Sequence, residues 1–457
     1  MEHLYEYVRG SLRKGEAPPK VTVGDVPSGR GLVLTRDVQP QECVLRIAPA
    51  LLVSPKTMPR SGALAPRHKA ARVPPGATPL STHQLISLVL AAWRTGGGTR
   101  FDVFFSTLPS NFETVPLVWA EQPYDKSCSV LLDALPDSCR AYADDVRKRF
   151  AHDWEIVQET LRSSRDACGE LWRGIGGSGS PHVTHRDFLW AWLCTNSRCV
   201  YQDLGYASHG DNFVMAPLLD MANHTHDASR VYRVRFDARD GLELLAPQGG
   251  GKKGDEVCIT YGPHGSARLL AEYGFATLPD KNNGDKWVGD PFAGVVVDCA
   301  VEERVARSHD WLRSLLEVHG YWGDYTLHPI PPPAHPSHRL HMALSLLCAC
   351  EDAAPDTQPK RRRIVDDKSE DALVRAWCLV ASGVRECISA ENEAAVRAAV
   401  REIASGAHAA LESRLHTLDT HISDAAQLSA ALVRAILHDE VLTCLQVMAS
   451  ADVVGSW

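Results

Sequence analysis

Pro217-Leu218-Leu219-Asp220-Met221-Ala222-Asn223-His224 is the stretch that decides the fold, and Ile259-Thr260-Tyr261-Gly262 answers it further on. The first sets a carboxylate, an amide and an imidazole in one short turn after an apolar run. The second puts a phenol at the end of a strand, just before a glycine. A tyrosine at a strand end is normally a half-buried packing residue. The Asn-His pair upstream gives Tyr261 a second reading, as one wall of a site built from distant segments.

Working outward, the chain of 457 residues is long enough for two or three domains. Its 44% apolar content supports a sizeable core. Basic residues number 48 and acidic ones 56, a net charge of −8, which argues against direct nucleic-acid binding and suits a basic peptide partner. The thirteen cysteines form no CxxC pair, so reduced thiols in a nuclear or cytoplasmic protein are expected. The first residues lack the basic and apolar regions of a signal peptide, and the apolar window from Leu85 to Trp93 is too short to span a bilayer. No membrane association is expected.

Strand signals cover Val21–Val23, Gly31–Thr35, Val44–Ile47, residues 231–236 and 242–246, and Glu256–Tyr261, with Asp240-Gly241 as a hairpin turn. Helical periodicity begins at Ser81 and recurs in 129–172, where Tyr142, Val146, Phe150, Trp154 and Val157 share a face. Residues 59–79, rich in Pro, Ala and Arg, read as a loop. His185–Val200 reads as an aromatic helix and Leu269–Tyr273 as a short one. Past residue 300 helices dominate, over 338–350, 371–388, 391–416 and 423–449. The last has Ser423-Asp424 as its cap and Leu428, Leu432, Ile436, Leu437, Val441 and Leu445 as one apolar stripe.

Three letter patterns invite other chemistry and fail in context. Gly174 to Gly179 spells a dinucleotide fingerprint, but a helical pattern precedes it and Ser180-Pro181 follows, so it is a linker. His224 and His226 lack a third ligand, and no metal site is expected. Lys360–Arg363 is a nuclear localisation signal or a solvated loop.

Four ordered blocks resemble the SET-domain protein methyltransferases of the Rubisco large-subunit lysine methyltransferase branch. They are Ser28-Gly29-Arg30-Gly31-Leu32 with Asp37-Val38 and Glu42; Trp190-Ala191 through Asn196-Ser197-Arg198; Pro217 to His224; and Glu256 to Gly262 with Leu269-Leu270 and Tyr273-Gly274-Phe275. Leu108-Pro109, Phe112 and Trp119 fit the helical insertion of that branch. The resemblance implies an α+β fold: a β-rich SET domain over 1–280, threaded like a pseudoknot and interrupted by a helical insertion at about 80–190, then an all-helical substrate-binding domain over 300–457.

The implied function is S-adenosylmethionine-dependent protein-lysine N-methylation. Such a transfer asks the protein mainly to position two reactants and to receive the amine uncharged, which burial favours. By resemblance, Tyr261 lines the transfer point, and Asn223 and His224 hold the cofactor. Arg198 pairs with the cofactor's carboxylate, and Ser28, Gly29 and Arg30 offer it backbone atoms. Asp220, Tyr232 and Tyr273 belong to the lysine channel, Asp220 at it or supporting it. A ribosomal protein, a translation factor or a histone would be the substrate. Two alternatives share the fold: a protein-histidine methyltransferase, and a non-catalytic adaptor.

Overall fold

The computed structural model describes residues 2–58, 64, 66, 79–175, 182–237, 241–277, 290, 292–352, 367–453 and 455. Most of the 59–79 loop, Asp240 of the hairpin turn, residues 176–181 of the glycine linker and the Lys360–Arg363 run lie outside them. The chain forms two compact units: residues 1–112 with 145–263, and residues 113–144 with 264–457.

The strands of the first unit are β1 (Val21–Val26), β2 (Gly29–Leu34), β3 (Cys43–Ile47), β4 (Cys199–Tyr201), β5 (Phe213–Met215), β6 (Arg233–Asp237), β7 (Gly241–Leu245) and β8 (Glu256–Val257). They make three small sheets, ordered β1-β2-β8, β3-β7-β6 and β4-β5. The β1-β2 hairpin closes on Pro27-Ser28, with Val26 opposite Gly29 and Val21 opposite Leu34. Gly29 takes φ +111°, which a side chain would resist. The free edge of β2 pairs with β8, setting Leu32 opposite Val257.

Between β3 and β4 runs the helical insertion. Helix Thr82–Arg94 starts on a full capping box: the Ser81 hydroxyl accepts from the Gln84 N–H, and the Gln84 side chain accepts from the Ser81 N–H. It packs on helix His185–Arg198, whose Thr184 cap accepts from the Asp187 N–H. Ser87 and Thr195 meet in a buried hydrogen bond of 3.1 Å between the two helices. Phe150 stacks on Phe188 and meets Trp192 edge-on. Tyr142 of the expected stripe is exposed, whereas Val146, Phe150 and Val157 are buried.

The second unit is helical with one small antiparallel sheet, Val295–Val296, Thr326–His328 and His335–Pro336. Its centre is helix Gln427–Ala451, against which helix Ala390–His421 lies. Leu432, Ile436, Leu437 and Val441 are buried, but Leu428 and Leu445 are exposed. Buried Ser429, Val433, Glu440 and Cys444 show why: neighbours cover this helix on several sides, so its packing does not follow a single stripe. Ser423 precedes a short 3₁₀ turn, Asp424–Ala426, without a side-chain cap, and the α-helix begins at Gln427.

The unit boundaries fall elsewhere than at residues 280 and 300. Residues 113–144 join the second unit because Trp119, Leu131 and Leu135 share one apolar cluster with Leu418 and Leu437. That burial outweighs closeness in sequence to the rest of the insertion. No described helix is long and apolar enough to cross a membrane.

Candidate active site: a strand crossing at Tyr261

Buried Leu218 opens the site at φ +70°, an uncommon conformation for a branched side chain. It turns the chain into a one-turn 3₁₀ helix, Leu219–Met221, which leaves residues 222–225 extended. The Asn223 carbonyl accepts from the Ile259 N–H at 2.9 Å, and the Ile259 carbonyl accepts from the Thr225 N–H at 3.0 Å. Seven residues on, the Tyr232 N–H donates to the Cys258 carbonyl at 2.8 Å. The loop from 223 to 232 is thus fastened at both ends to Cys258-Ile259, with parallel bridges at His224 and Val231.

That fastening brings Tyr261 to the Asn-His turn. Its hydroxyl donates to the Ala222 carbonyl at 2.8 Å, and its own N–H donates to His224 Nδ1 at 3.0 Å. The two rings lie 5.3 Å apart. A nitrogen that accepts an N–H carries a lone pair, so His224 is neutral here with its proton on Nε2. The tyrosine is half-buried.

Asn223 ties this crossing to the first hairpin. Its amide nitrogen lies 3.0 Å from Ser28 Oγ, 3.2 Å from the Arg30 carbonyl and 2.9 Å from Glu256 Oε1. A Cβ on Gly31 would stand 2.8 Å from that amide nitrogen, so the approach requires glycine. Ser28, Gly29, Arg30, Asn223, His224 and Tyr261 therefore belong to one neighbourhood. A cleft of about 550 Å³ adjoins it, lined by Arg30, His3, Thr107, Pro109 and Asn111 among others.

Arg198 and Asp220 find each other. Arg198 Nη1 donates to the Asp220 carbonyl at 2.8 Å and to its carboxylate at 3.0 Å. The Asp220 side chain is wholly buried, and burial raises its pKa against the lowering pull of Arg198. Asp220 is thereby the buried counter-ion of Arg198. Arg198 Nε and Asp220 Oδ1 are buried with no hydrogen-bond partner among the described residues. A buried Nε left without an acceptor is a donor that a carboxylate would satisfy, so Arg198 fits the role of holding a cofactor's amino-acid end.

The two channel tyrosines fare differently. Tyr232 is a core residue, 4% exposed, and its hydroxyl packs 2.7 Å from where a Cβ on Gly251 would stand. Burial pushes its pKa up to about 12. Its backbone N–H donates to the Cys258 carbonyl. Tyr273 lies in the second unit, at the end of helix Ser266–Tyr273, half-buried beside Phe275.

Glu256, Gly31 and the Ala222 carbonyl were not assigned roles from sequence. Glu256 opens its strand directly after Asp255, where an acid is ordinary and carries no signal. A backbone carbonyl carries none.

Comparison with known structures settles the architecture. The SET domain of the Rubisco enzyme LSMT, solved bound to lysine and AdoHcy, superposes with TM-score 0.57 at 16% identity, covering 99% of this chain and 90% of that one. The same enzyme with sinefungin and monomethyllysine also gives 0.57. The fold is the SET fold. Sequence relatives agree: this chain is 24% identical over 310 residues to the ribosomal lysine N-methyltransferase set11 of Schizosaccharomyces pombe, spanning 67% of this chain and 66% of that protein. It is 27% identical over 353 residues to mouse SET domain-containing protein 4, spanning 74% and 70%. No protein-family model matches the chain. The resemblance read from the four blocks holds.

Proposed function

We propose that this SET protein is an S-adenosylmethionine-dependent protein-lysine N-methyltransferase. The observation that carries the reading is the Tyr261 hydroxyl on the Ala222 carbonyl at the Asn223-His224 crossing. The bound sulfonium would supply an electrophilic methyl group, whose C–S bond breaks as a C–N bond to a neutral amine forms. This chain's part is placement. Tyr261 Oη and the Ala222 carbonyl present oxygen to the polarised C–H bonds of a methyl group. Arg198 would take the donor's carboxylate on its unbonded Nε, with Asp220 fixing the guanidinium. Backbone atoms of Ser28, Gly29 and Arg30, drawn in by Asn223, would line the nucleoside side.

The names of relatives support a protein substrate: ribosomal lysine methyltransferases in two yeasts, and a chloroplast fructose-bisphosphate aldolase lysine methyltransferase in Arabidopsis thaliana. A ribosomal protein is our first candidate, since basic segments suit a chain of net charge −8. Thirteen cysteines with no CxxC pair among them support work in a reducing compartment, the nucleus or cytoplasm.

The test is methyl transfer to lysate from tritiated S-adenosylmethionine, with wild type beside Tyr261→Phe. The variant is expected to lose activity by about 10²-fold. Undiminished transfer removes Tyr261 from the mechanism. Comparing methyl-lysine peptides from cells with and without the protein then names the substrate.

A further inference from the structure

We propose that Glu256 is a positioning residue for cofactor binding: its carboxylate fixes which end of the Asn223 amide is left for the cofactor. The inference rests on the cofactor-binding part of the methyltransferase reading.

An asparagine side chain is nearly symmetric in shape and opposite in chemistry at its two ends. The NH₂ donates and the oxygen accepts, so the neighbours decide which end turns where. Around Asn223 they decide for the nitrogen. Nδ2 lies 2.9 Å from Glu256 Oε1, 3.2 Å from the Arg30 carbonyl and 3.0 Å from Ser28 Oγ. A carboxylate and a carbonyl only accept, whereas a hydroxyl turns to suit either end. Reversing the amide would set Oδ1 against two acceptors. The carboxylate contact is the shortest of the three and is charge-assisted, so it carries more of the preference than the carbonyl. Asn223 Oδ1 then has no hydrogen bond among the described residues, and it is the acceptor that this side chain keeps for an N–H of the bound cofactor.

Glu256 is itself held in place. Its backbone lies on β8, opposite Val33 of β2. Its carboxylate returns to the same hairpin, where a Cβ on Gly31 would stand 3.1 Å from Oε1. The segment 28–31, Asn223 and Glu256 thus meet at one amide. The Glu256 side chain is 15% exposed, which limits the water able to take its place. Two other groups reach it. The Cys258 thiol is a weak hydrogen-bond partner. Arg230 Nη2 stands 3.9 Å from Oε2, at the outer limit of an ion pair, on a half-exposed side chain, and such a pair is worth little. The Asn223 amide is therefore the strongest contact of this carboxylate.

The experiment measures S-adenosylhomocysteine binding to the full chain by calorimetry, beside methyl transfer from tritiated S-adenosylmethionine. Glu256→Leu keeps the bulk and offers no acceptor. Its Kd is expected to rise about tenfold, with KM for the donor following and kcat at saturating donor changed by less than about twofold. Glu256→Gln returns an acceptor and should bind within about threefold of wild type. Arg230→Ala should bind as wild type does. In an Asn223→Ala background, where the amide is gone, Glu256→Leu should weaken binding by less than about twofold more. Wild-type binding by Glu256→Leu overturns the proposal. A loss in Glu256→Gln or Arg230→Ala as large as in Glu256→Leu also overturns it, since charge or the ion pair would then be what matters. Full additivity with Asn223→Ala overturns it as well. If Glu256→Leu does not fold, Glu256→Ala takes its place with the same expectations. Binding that behaves as expected while wild type transfers no methyl group removes the catalytic reading and leaves Glu256 in its role. A wild type that binds no S-adenosylhomocysteine overturns both.

Discussion

Between Asn223 and Tyr261 no described strand exceeds five residues, and the strand leading to the tyrosine has two. In the second unit, helices of 32 and 25 residues lie side by side. The crossing holds its shape through individual hydrogen bonds that each fix one atom: Tyr261 Oη, His224 Nδ1, Asn223 Nδ2. The helical unit holds its shape through area, with Leu418, Val433, Leu437 and Val447 essentially removed from solvent. Directional bonds place reacting groups to within tenths of an ångström, and non-directional burial supplies the bulk of stability. Mutations should therefore separate, touching activity in one region and stability in the other.

The largest stability effect is expected at the helical core. Leu437→Ala removes a wholly buried side chain, costing about 2–5 kcal/mol in denaturant unfolding of the second unit. A loss below the cost of a surface change would break the contrast. Next comes Glu440, buried in the same helix, bonded by the Ser138 hydroxyl and flanked by Asp439 and Cys444. Burial pushes its pKa from the usual 4.5 up to about 8, against the opposing Ser138 bond and Arg414. A raised pKa means that the folded chain favours the acid form. The stability this lends is complete below about pH 4.5 and is lost as pH rises through about 8. Unfolding measured at pH 5 and pH 8 should show wild type weakening at the higher pH, and Glu440→Gln weakening less.

At the crossing, Gly31→Ala places a methyl group against Asn223, Val26 and Glu256. It should cost about 1–3 kcal/mol locally and weaken S-adenosylmethionine binding, measured by calorimetry. Binding at wild-type strength would show that Asn223 can give way, and would blunt the claim that directional bonds hold the site. The smallest effect is expected at Leu428, 66% exposed at the start of the last helix. Leu428→Ser should change stability by less than about 0.5 kcal/mol, although Leu432, one turn on, is buried.

Much of the site was legible because its chemistry sits in short segments whose residue types have few other uses together. Asn223-His224 after an apolar run, Tyr261 before Gly262, and Gly29-Arg30-Gly31 all lie within the crossing. Contacts across the fold were less visible. Arg198 and Asp220 are each polar residues of a recognisable block, and nothing in their spacing of 22 positions says that they pair. Tyr232 shows a related limit: its aromatic ring suits a channel wall or a core equally, and its burial appears only in the folded chain. In the last helix, apolar periodicity marked Leu428 and Leu445 with Leu432 and Ile436, but what covers each position depends on where the neighbouring helices end.

The sequence by itself determined the class of fold, the order of its blocks and the residues that meet at the crossing. Those follow from the resemblance of four ordered blocks to the SET-domain branch, with the strand and helix periods in accord. Only the tertiary structure decided that residues 113–144 build onto the C-terminal unit, that Asp220 is held as the counter-ion of Arg198, and that the Glu256 carboxylate meets the Asn223 amide. Each of these depends on which surfaces and atoms come to face one another once the chain has closed. Burial and hydrogen-bond direction are set by those partners, and no local pattern encodes them.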